Sequence, residues 1–140
     1  MRLFCDIDGV LVPKTGDDNY HTKPWNEDGK ILWEFIKPLS PTILTMLPDN
    51  LMQRYGPQKR AWCDRELGTD VPLLIALEST GKGVYARPDT ILIDDLPKRH
   101  SDDWTRAGGI FLHHKSAVET IRQVQKLLRF HNSYGRELTK

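Results

Sequence analysis

Five short apolar runs constrain the fold of this chain more than any other feature of its sequence. Each run has the length of a strand and is bounded by Gly, Pro or Asp, which is typical of strands that are buried on both faces of a sheet. The sequence therefore predicts five buried strands. The runs cover residues 3–7, 42–45, 73–77, 90–93 and 109–112.

Helical patterns lie between these runs. Asp28 is predicted to cap a helix that ends at Pro38, and Pro57 is predicted to lie early in a helix over 58–67. A short helix is predicted over 98–106, and the spacing of apolar residues predicts an amphipathic helix over 116–130. Strands that alternate with helices predict an α/β, Rossmann-like three-layer sandwich with a mainly parallel five-stranded sheet.

The length of 140 residues fits one domain. We predict a single catalytic domain over residues 1–130, followed by a polar, frayed tail over 131–140. A polar segment after the first run predicts a short flap at about 11–28. The remaining gaps between strands are too short to hold a full cap domain.

Composition excludes several classes of protein. The formal net charge of +1 gives no global positive field of the kind that nucleic-acid coats and membrane-surface binders carry. Two cysteines are too few for a disulfide-stapled secreted fold, and no apolar run approaches the ~20 residues that span a bilayer. We expect a soluble cytoplasmic protein without membrane contact.

Polar side chains follow the predicted strands at the edge where ligands bind in open α/β sheets. Asp6 and Asp8 close the first run, Thr45 closes the second, and Asp94 closes the fourth, with Asp95 next to it. Lys82 lies in a Gly-Lys-Gly sequence before the fourth run. We expect all of these side chains to meet at one rim of the sheet.

This set of side chains suits phosphate chemistry. Asp6 and Asp8 would point the same way in an extended segment, about 6–7 Å apart. Adding Asp94 concentrates negative charge that requires a cation, and Mg²⁺ prefers carboxylate oxygens together with substrate phosphate. Thr45 can donate a hydroxyl, and Lys82 can bring positive charge, to phosphate oxygens.

Each of these residues taken alone has a simpler explanation. A single Asp at a strand end is usually a turn former or a helix cap, so the Asp94-Asp95 pair could simply cap the next helix. Thr45 could be an ordinary strand residue, and Lys82 a solvated loop lysine. Their joint occurrence in this order favours a site.

The motifs resemble those of the haloacid dehalogenase-like phosphohydrolase superfamily. The sequence Asp-Ile-Asp-Gly at residues 6–9 resembles its first motif, and Ile-Leu-Thr at 43–45 resembles its second. Lys82 resembles the lysine of the third motif, and the Asp pair at 94–95 resembles the acidic fourth motif. The resemblance covers the chain from Met1 to about Phe130.

The resemblance implies a role for each residue. Asp6 would attack phosphorus to form an aspartyl-phosphate, and Asp8 would act as general acid and then as general base. Mg²⁺ would lie between Asp6, the backbone carbonyl of Asp8 and Asp94, and Asp95 would contact the ion or its water. Thr45 and Lys82 would hold the phosphoryl oxygens.

Within the superfamily, Lys-Arg-Ala-Trp at 59–62 and Glu-Leu-Gly at 66–68 resemble the small 5′(3′)-deoxyribonucleotidases. The capless polynucleotide 3′-phosphatase domains are similar in architecture. These resemblances imply a nucleotide or nucleic-acid terminal phosphate as substrate. Trp25 could stack on a base or could pin its loop to the core. Lys59 could contact substrate or could take the phosphate-binding role in place of Lys82.

Two alternatives remain. A non-enzymatic phosphate-accepting domain of the response-regulator type also combines a parallel sheet, clustered aspartates, a Thr and a Lys. Receivers carry the adjacent acidic pair at the first strand, however, whereas this chain carries it at the fourth. A phosphatase of the same superfamily that acts on a sugar phosphate or a phosphoprotein is the second alternative.

Overall fold

The structure is a computed structural model that describes residues 1–14, 20 and 23–139, with side chains described as far as His131. Its centre is a five-stranded, all-parallel sheet with strand order β3-β2-β1-β4-β5. The prediction of five strands in a parallel α/β sheet is confirmed, but only β1, β2 and β4 are mostly buried, because β3 and β5 are edge strands and are largely half-buried. The strands are β1 (Arg2–Cys5), β2 (Thr42–Leu47), β3 (Leu73–Leu77), β4 (Thr90–Asp94) and β5 (Ile110–His113).

Helices cover both faces of the sheet, which gives the predicted Rossmann-like three-layer fold. The helices are α1 (Glu27–Ile36), α2 (Met52–Glu66), α3 (Pro97–Arg106) and α4 (Ala117–Thr139). On one face, strand residues such as Cys5 and Ile43 form a core with α1, α2 and α4. On the other face, Phe4 and Leu92 pack against Trp104 of α3. No helix in the described part of the chain is long and apolar enough to span a membrane.

The strand order places a topological switch at β1. The chain continues from β1 to β2 and β3 on one side, and β4 and β5 lie on the other side. Ligands of open α/β sheets bind at such a switch, beyond the carboxyl ends of the strands. The residues after Cys5 therefore occupy the position in the sheet where a site is expected.

Two predicted helix starts are wrong. Asn26, not Asp28, is the N-cap of α1, and its side chain accepts a hydrogen bond from the amide of Gly29. The Asp28 carboxylate instead accepts hydrogen bonds from the amide of Ala117, at 2.8 and 3.0 Å. Asp28 also pairs with His114 Nε2 at 3.1 Å and thereby ties α1 to the start of α4.

Helix α2 begins six residues earlier than predicted, because Pro57 lies inside the helix and not at its start. A proline in this position removes one backbone hydrogen bond. A 3-10 turn over Asp49–Leu51 leads directly into Met52 and starts the helix without help from the proline.

The C-terminal prediction also differs from the structure. Helix α4 continues to Thr139, through the residues that were predicted to form a frayed tail. Extending an existing helix costs much less than starting one, so a polar composition alone does not end it. The predicted flap over 11–28 is described only at residues 11–14, 20 and 23–28; its other positions lie outside the described residues.

Replacing Trp104 tests the packing of α3 on the sheet. Trp104 is fully buried and meets the ring of Phe4 edge-on, with ring centroids 5.4 Å apart. We expect Trp104→Ala to lower the free energy of unfolding by about 3–5 kcal/mol in urea titrations, because it leaves a large cavity. Ile31→Ala, at a position that is 55% exposed, is the control and should change it by less than about 0.5 kcal/mol.

Candidate active site

A tight turn after β1 places Asp6 against the end of β4. The amide of Asp6 donates to the carbonyl of Ile93 at 3.0 Å, and the amides of residues 10–12 all donate back to the carbonyl of Ile7. Gly9 has a φ of +81°, and a Cβ at this position would lie 2.0 Å from Asp95 Oδ2. Only glycine therefore lets the turn approach the carboxylate of Asp95 so closely.

Three carboxylates meet at this turn. Oxygen atoms of Asp6, Asp94 and Asp95 lie within 4.8 Å of one another. Asp6 and Asp94 are buried, and Asp95 Oδ1 is a buried atom that receives no hydrogen bond from the residues described. The structure thus brings together three of the four acidic residues that the sequence singled out. The carboxylate of Asp8 lies outside this cluster.

Lys82 links two of these carboxylates. Its Nζ lies 2.6 Å from Asp94 Oδ2 and 3.2 Å from Asp6 Oδ1, and its side chain is 1% exposed. Burial alone would lower the pKa of Lys82, but the charges of Asp6 and Asp94 outweigh it and raise that pKa. Lys82 is therefore a buried cation that is paired with the nucleophile candidate.

A second buried lysine, Lys59 of α2, occupies the other side of the turn. Its Nζ lies 2.5 Å from Thr45 Oγ1 and 3.4 Å from Asp8 Oδ2. Burial lowers the pKa of Lys59. Thr45 lies within β2, two residues before the end of the strand, and is buried. Thr45 thus contacts Lys59, whereas the resemblance pairs its role with that of Lys82.

Two residues that the sequence analysis did not single out contact Asp8. Tyr20 donates its hydroxyl to Asp8 Oδ2 at 2.5 Å, and Lys23 Nζ lies 2.7 Å from Asp8 Oδ1. Burial alone would raise the pKa of Asp8, but Lys59, Lys23 and Tyr20 outweigh it and lower that pKa. The sequence offered only a weak signal here, namely a lysine and a tyrosine within the polar segment after the first motif.

Trp25 is placed on the side of the domain formed by α1 and α2. Its indole Nε1 donates to Glu66 Oε2 at 2.9 Å, and its ring lies 5.4 Å from that of Trp62. These contacts fit an aromatic residue that pins its loop to the core. Trp25 also lines a cavity of about 340 Å³ together with residues of α1, including Lys30 and Glu34.

A polar cavity of about 360 Å³ lies at the carboxyl ends of β3 and β4. Its lining includes Gly81, which precedes Lys82 in the sequence. Burial lowers the pKa of His100, which also lines this cavity, to about 4, so this imidazole is neutral at pH 7. A cavity of similar size lies near Pro41 and Pro72, which precede β2 and β3, and is therefore at the opposite end of the sheet. The lining of the polar cavity includes Ser79, Thr80, Lys98, Arg99 and Asp103.

Asp6 and Asp95 have pKa values above those of free carboxylic acids. Burial, together with the nearby charges of Asp94 and Asp8, raises the pKa of Asp6 to about 7 even though Lys82 opposes this shift. Burial also raises the pKa of Asp95. A divalent cation between these oxygens would remove the repulsion that produces part of the shift.

Comparison with known proteins adds no relative. A scan against models of known protein families gave no match, and neither did a search of curated proteins.

The pH dependence of stability tests the environment of Asp6. Its pKa is about 7 in the folded protein and about 3.9 in an unfolded chain. Between these values the folded state binds more protons, so this group makes the protein less stable as pH rises from 4 to 7. Asp6→Asn lacks the group, and we expect its free energy of unfolding, minus that of the wild type, to increase over this range.

The measurement is urea unfolding in EDTA at several pH values between 4 and 8. Asp102→Asn, at an exposed position of α3, controls for the loss of one negative charge. A difference between Asp6→Asn and wild type that stays constant over this range would contradict the raised pKa.

Proposed function

We propose that this protein is a Mg²⁺-dependent phosphomonoesterase that acts through an aspartyl-phosphate on Asp6. The observation that carries the proposal is the convergence of Asp6, Asp94 and Asp95 within 4.8 Å, with the ammonium group of Lys82 against two of them. A carboxylate attacks a phosphate dianion only where the mutual repulsion is offset, and Lys82 together with a bound Mg²⁺ would supply that offset.

The donor set fits magnesium. Carboxylate oxygens are the ligands that Mg²⁺ prefers, and Asp95 Oδ1 is a buried acceptor that receives no hydrogen bond within the described part of the chain. Asp6, Asp94 and Asp95 would hold the ion, together with the backbone carbonyl of Asp8 that the resemblance implies. When bound, the ion would neutralise negative charge on the nucleophile and on the phosphate.

The charges of the site match a doubly charged anion. Among the described residues, the ion-paired network around the turn involves four aspartates and four lysines, so a bound Mg²⁺ would leave these residues with an excess of two positive charges. A phosphate monoester dianion would balance this excess. The network comprises Asp6, Asp8, Asp94 and Asp95 together with Lys14, Lys23, Lys59 and Lys82.

The proposed reaction has two halves. Asp6 attacks phosphorus, the bond from phosphorus to the ester oxygen breaks, and the leaving oxygen takes a proton from Asp8. Water then attacks the aspartyl-phosphate, Asp8 accepts a proton from that water, and Asp6 is released as a carboxylate. The lowered pKa of Asp8 suits the second half. The negative charge of a bound phosphate would favour the protonated form that the first half needs.

Thr45 and Lys59 form the phosphate-binding pair in this proposal. The hydroxyl and the ammonium group lie 2.5 Å apart, both are buried, and both can donate to phosphoryl oxygens. Lys82 remains close to Asp6 and contributes its charge to the same group. In this proposal Lys59 binds the phosphate, a role that the sequence left open between Lys59 and Lys82.

A nucleotide or a nucleic-acid terminal phosphate is the substrate class that we propose. The resemblance of residues 59–62 and 66–68 to nucleotidases supports it. A sugar phosphate or a phosphoprotein is the alternative substrate. Cys5 and Cys63 are both free and buried, which supports action in the reducing cytoplasm.

Substitution of the two aspartates of the first motif tests the mechanism. With p-nitrophenyl phosphate and Mg²⁺, we expect Asp6→Asn to lower kcat by at least about 10³-fold, because no aspartyl-phosphate can form. Asp8→Asn should still form the intermediate but should hydrolyse it slowly, so phosphate covalently bound to the protein should accumulate in acid-quenched samples.

Lys14→Gln removes an exposed lysine that lies 3.8 Å from Asp95, and it is the control for loss of charge near the site. We expect it to alter kcat by less than about tenfold, because exposed ion pairs are weak. Retained turnover in Asp6→Asn, or activity that EDTA does not abolish, would contradict the proposal. The same assay with 3′- and 5′-phosphorylated oligonucleotides, mononucleotides and sugar phosphates identifies the substrate class.

Substitution of Lys59 and Lys82 separates the roles of these two buried lysines. Lys59→Met should raise KM for the phosphate ester and weaken inhibition by inorganic phosphate by about tenfold or more, because a charge-assisted hydrogen bond contributes roughly 1.5–3 kcal/mol. Lys82→Met should lower kcat, because it removes the positive charge that lies against Asp6. Identical effects of the two variants on KM and kcat would contradict this division.

A further inference from the structure

The Asp8 carboxylate is held by three donors. Tyr20 and Lys59 donate to Oδ2 at 2.5 and 3.4 Å, and Lys23 donates to Oδ1 at 2.7 Å. A carboxylate offers about four lone-pair positions. Among the residues that the structure describes, these donors use three of them, so one position is left, on Oδ1. The carboxylate is therefore fixed in orientation and retains a single direction from which it can accept a proton.

The donors from the segment after β1 are themselves fixed by α2. Arg65 Nη2 donates to the backbone carbonyl of Tyr20 at 3.1 Å, and Trp62 Nε1 donates to the backbone carbonyl of Lys23 at 3.1 Å. Both Tyr20 and Lys23 are buried. The ammonium group of Lys23 also lies 4.6 Å from the centre of the Tyr20 ring, and that of Lys59 lies 5.1 Å from it.

We propose that Tyr20 and Lys23 are positioning residues that hold Asp8 as the base of the second half-reaction. This inference rests on the proposed function and assigns it two further residues. Burying a lysine is costly unless it is paired, and here both the lysine and the phenol are directed at one carboxylate. A base contributes to catalysis only if it lies in hydrogen-bond reach of the proton that it removes.

The step that they support is hydrolysis of the aspartyl-phosphate. The oxygen of a water molecule forms a bond to phosphorus while the bond from phosphorus to the Asp6 oxygen breaks, and that electron pair returns to Asp6. The water proton moves to the remaining lone pair of Asp8 Oδ1. Loss of either donor would let the carboxylate rotate away from this water, whereas the first attack by Asp6 would be unaffected.

Rapid-quench kinetics with p-nitrophenyl phosphate and Mg²⁺ test the proposal, because p-nitrophenolate leaves without a proton and only the second half needs Asp8. In Tyr20→Phe and Lys23→Met, we expect the first turnover to stay within about threefold of wild type. Steady-state turnover should fall about tenfold or more. This is less than the roughly 10²–10⁴-fold effect of a general base, because Asp8 itself remains. Phosphorylated protein should accumulate, and Lys23→Arg should restore part of the steady-state rate.

The matched controls are Tyr55→Phe on α2 and Lys30→Met on α1, which lie away from Asp8 and should keep both rates. Tyr20→Phe retains the ring, so it decides the question if Lys23→Met does not fold. A parallel fall of the first turnover and the steady state, or no fall in either, would overturn the positioning role. Wild-type protein that turns over no phosphate ester would instead overturn the proposed function.

Discussion

The buried pairing of Lys82 with Asp6 and Asp94 is the interaction on which the site depends. Asp94 has no exposed side-chain surface and Lys82 almost none, so neither charge could remain in the interior alone. Removing one partner of such a pair costs about 3–5 kcal/mol, because the other charge is left without compensation. The carboxylates can therefore lie this close together only while a cation lies against them.

The topology explains why residues from distant parts of the chain share this cation. Strand β1 is hydrogen-bonded to β4 on one side and to β2 on the other, so the turn after Cys5 lies between the ends of both. Lys82 reaches it from the connection between β3 and β4, and Lys59 reaches it from α2. The two carboxylates of the first motif thus contact different buried lysines: Asp6 contacts Lys82, whereas Asp8 contacts Lys23 and Lys59.

Much of this arrangement could be predicted from the sequence. The strands are short apolar runs with clear borders, and the carboxyl-end rule for parallel sheets places Asp6, Asp94 and Asp95 at one edge. The partners of Asp8 could not be predicted, because a lysine 51 residues away leaves no periodic trace. Pro57 misled the prediction of α2, since a local preference for helix starts is weaker than the tertiary packing that extends the helix.

In the proposed function, helix α2 would link the phosphate-binding pair to the geometry of the base. Lys59, Trp62 and Arg65 follow one another at intervals of three residues and therefore lie along one side of the helix. One of them touches Thr45, and the other two hold the backbone of the residues that clamp Asp8. Each residue turns a helix by about 100°. Insertion of one residue between Lys59 and Arg65 would therefore rotate these side chains apart, and their contacts could no longer form together. The spacing of these three residues within α2 is thus tied to contacts with two different parts of the chain.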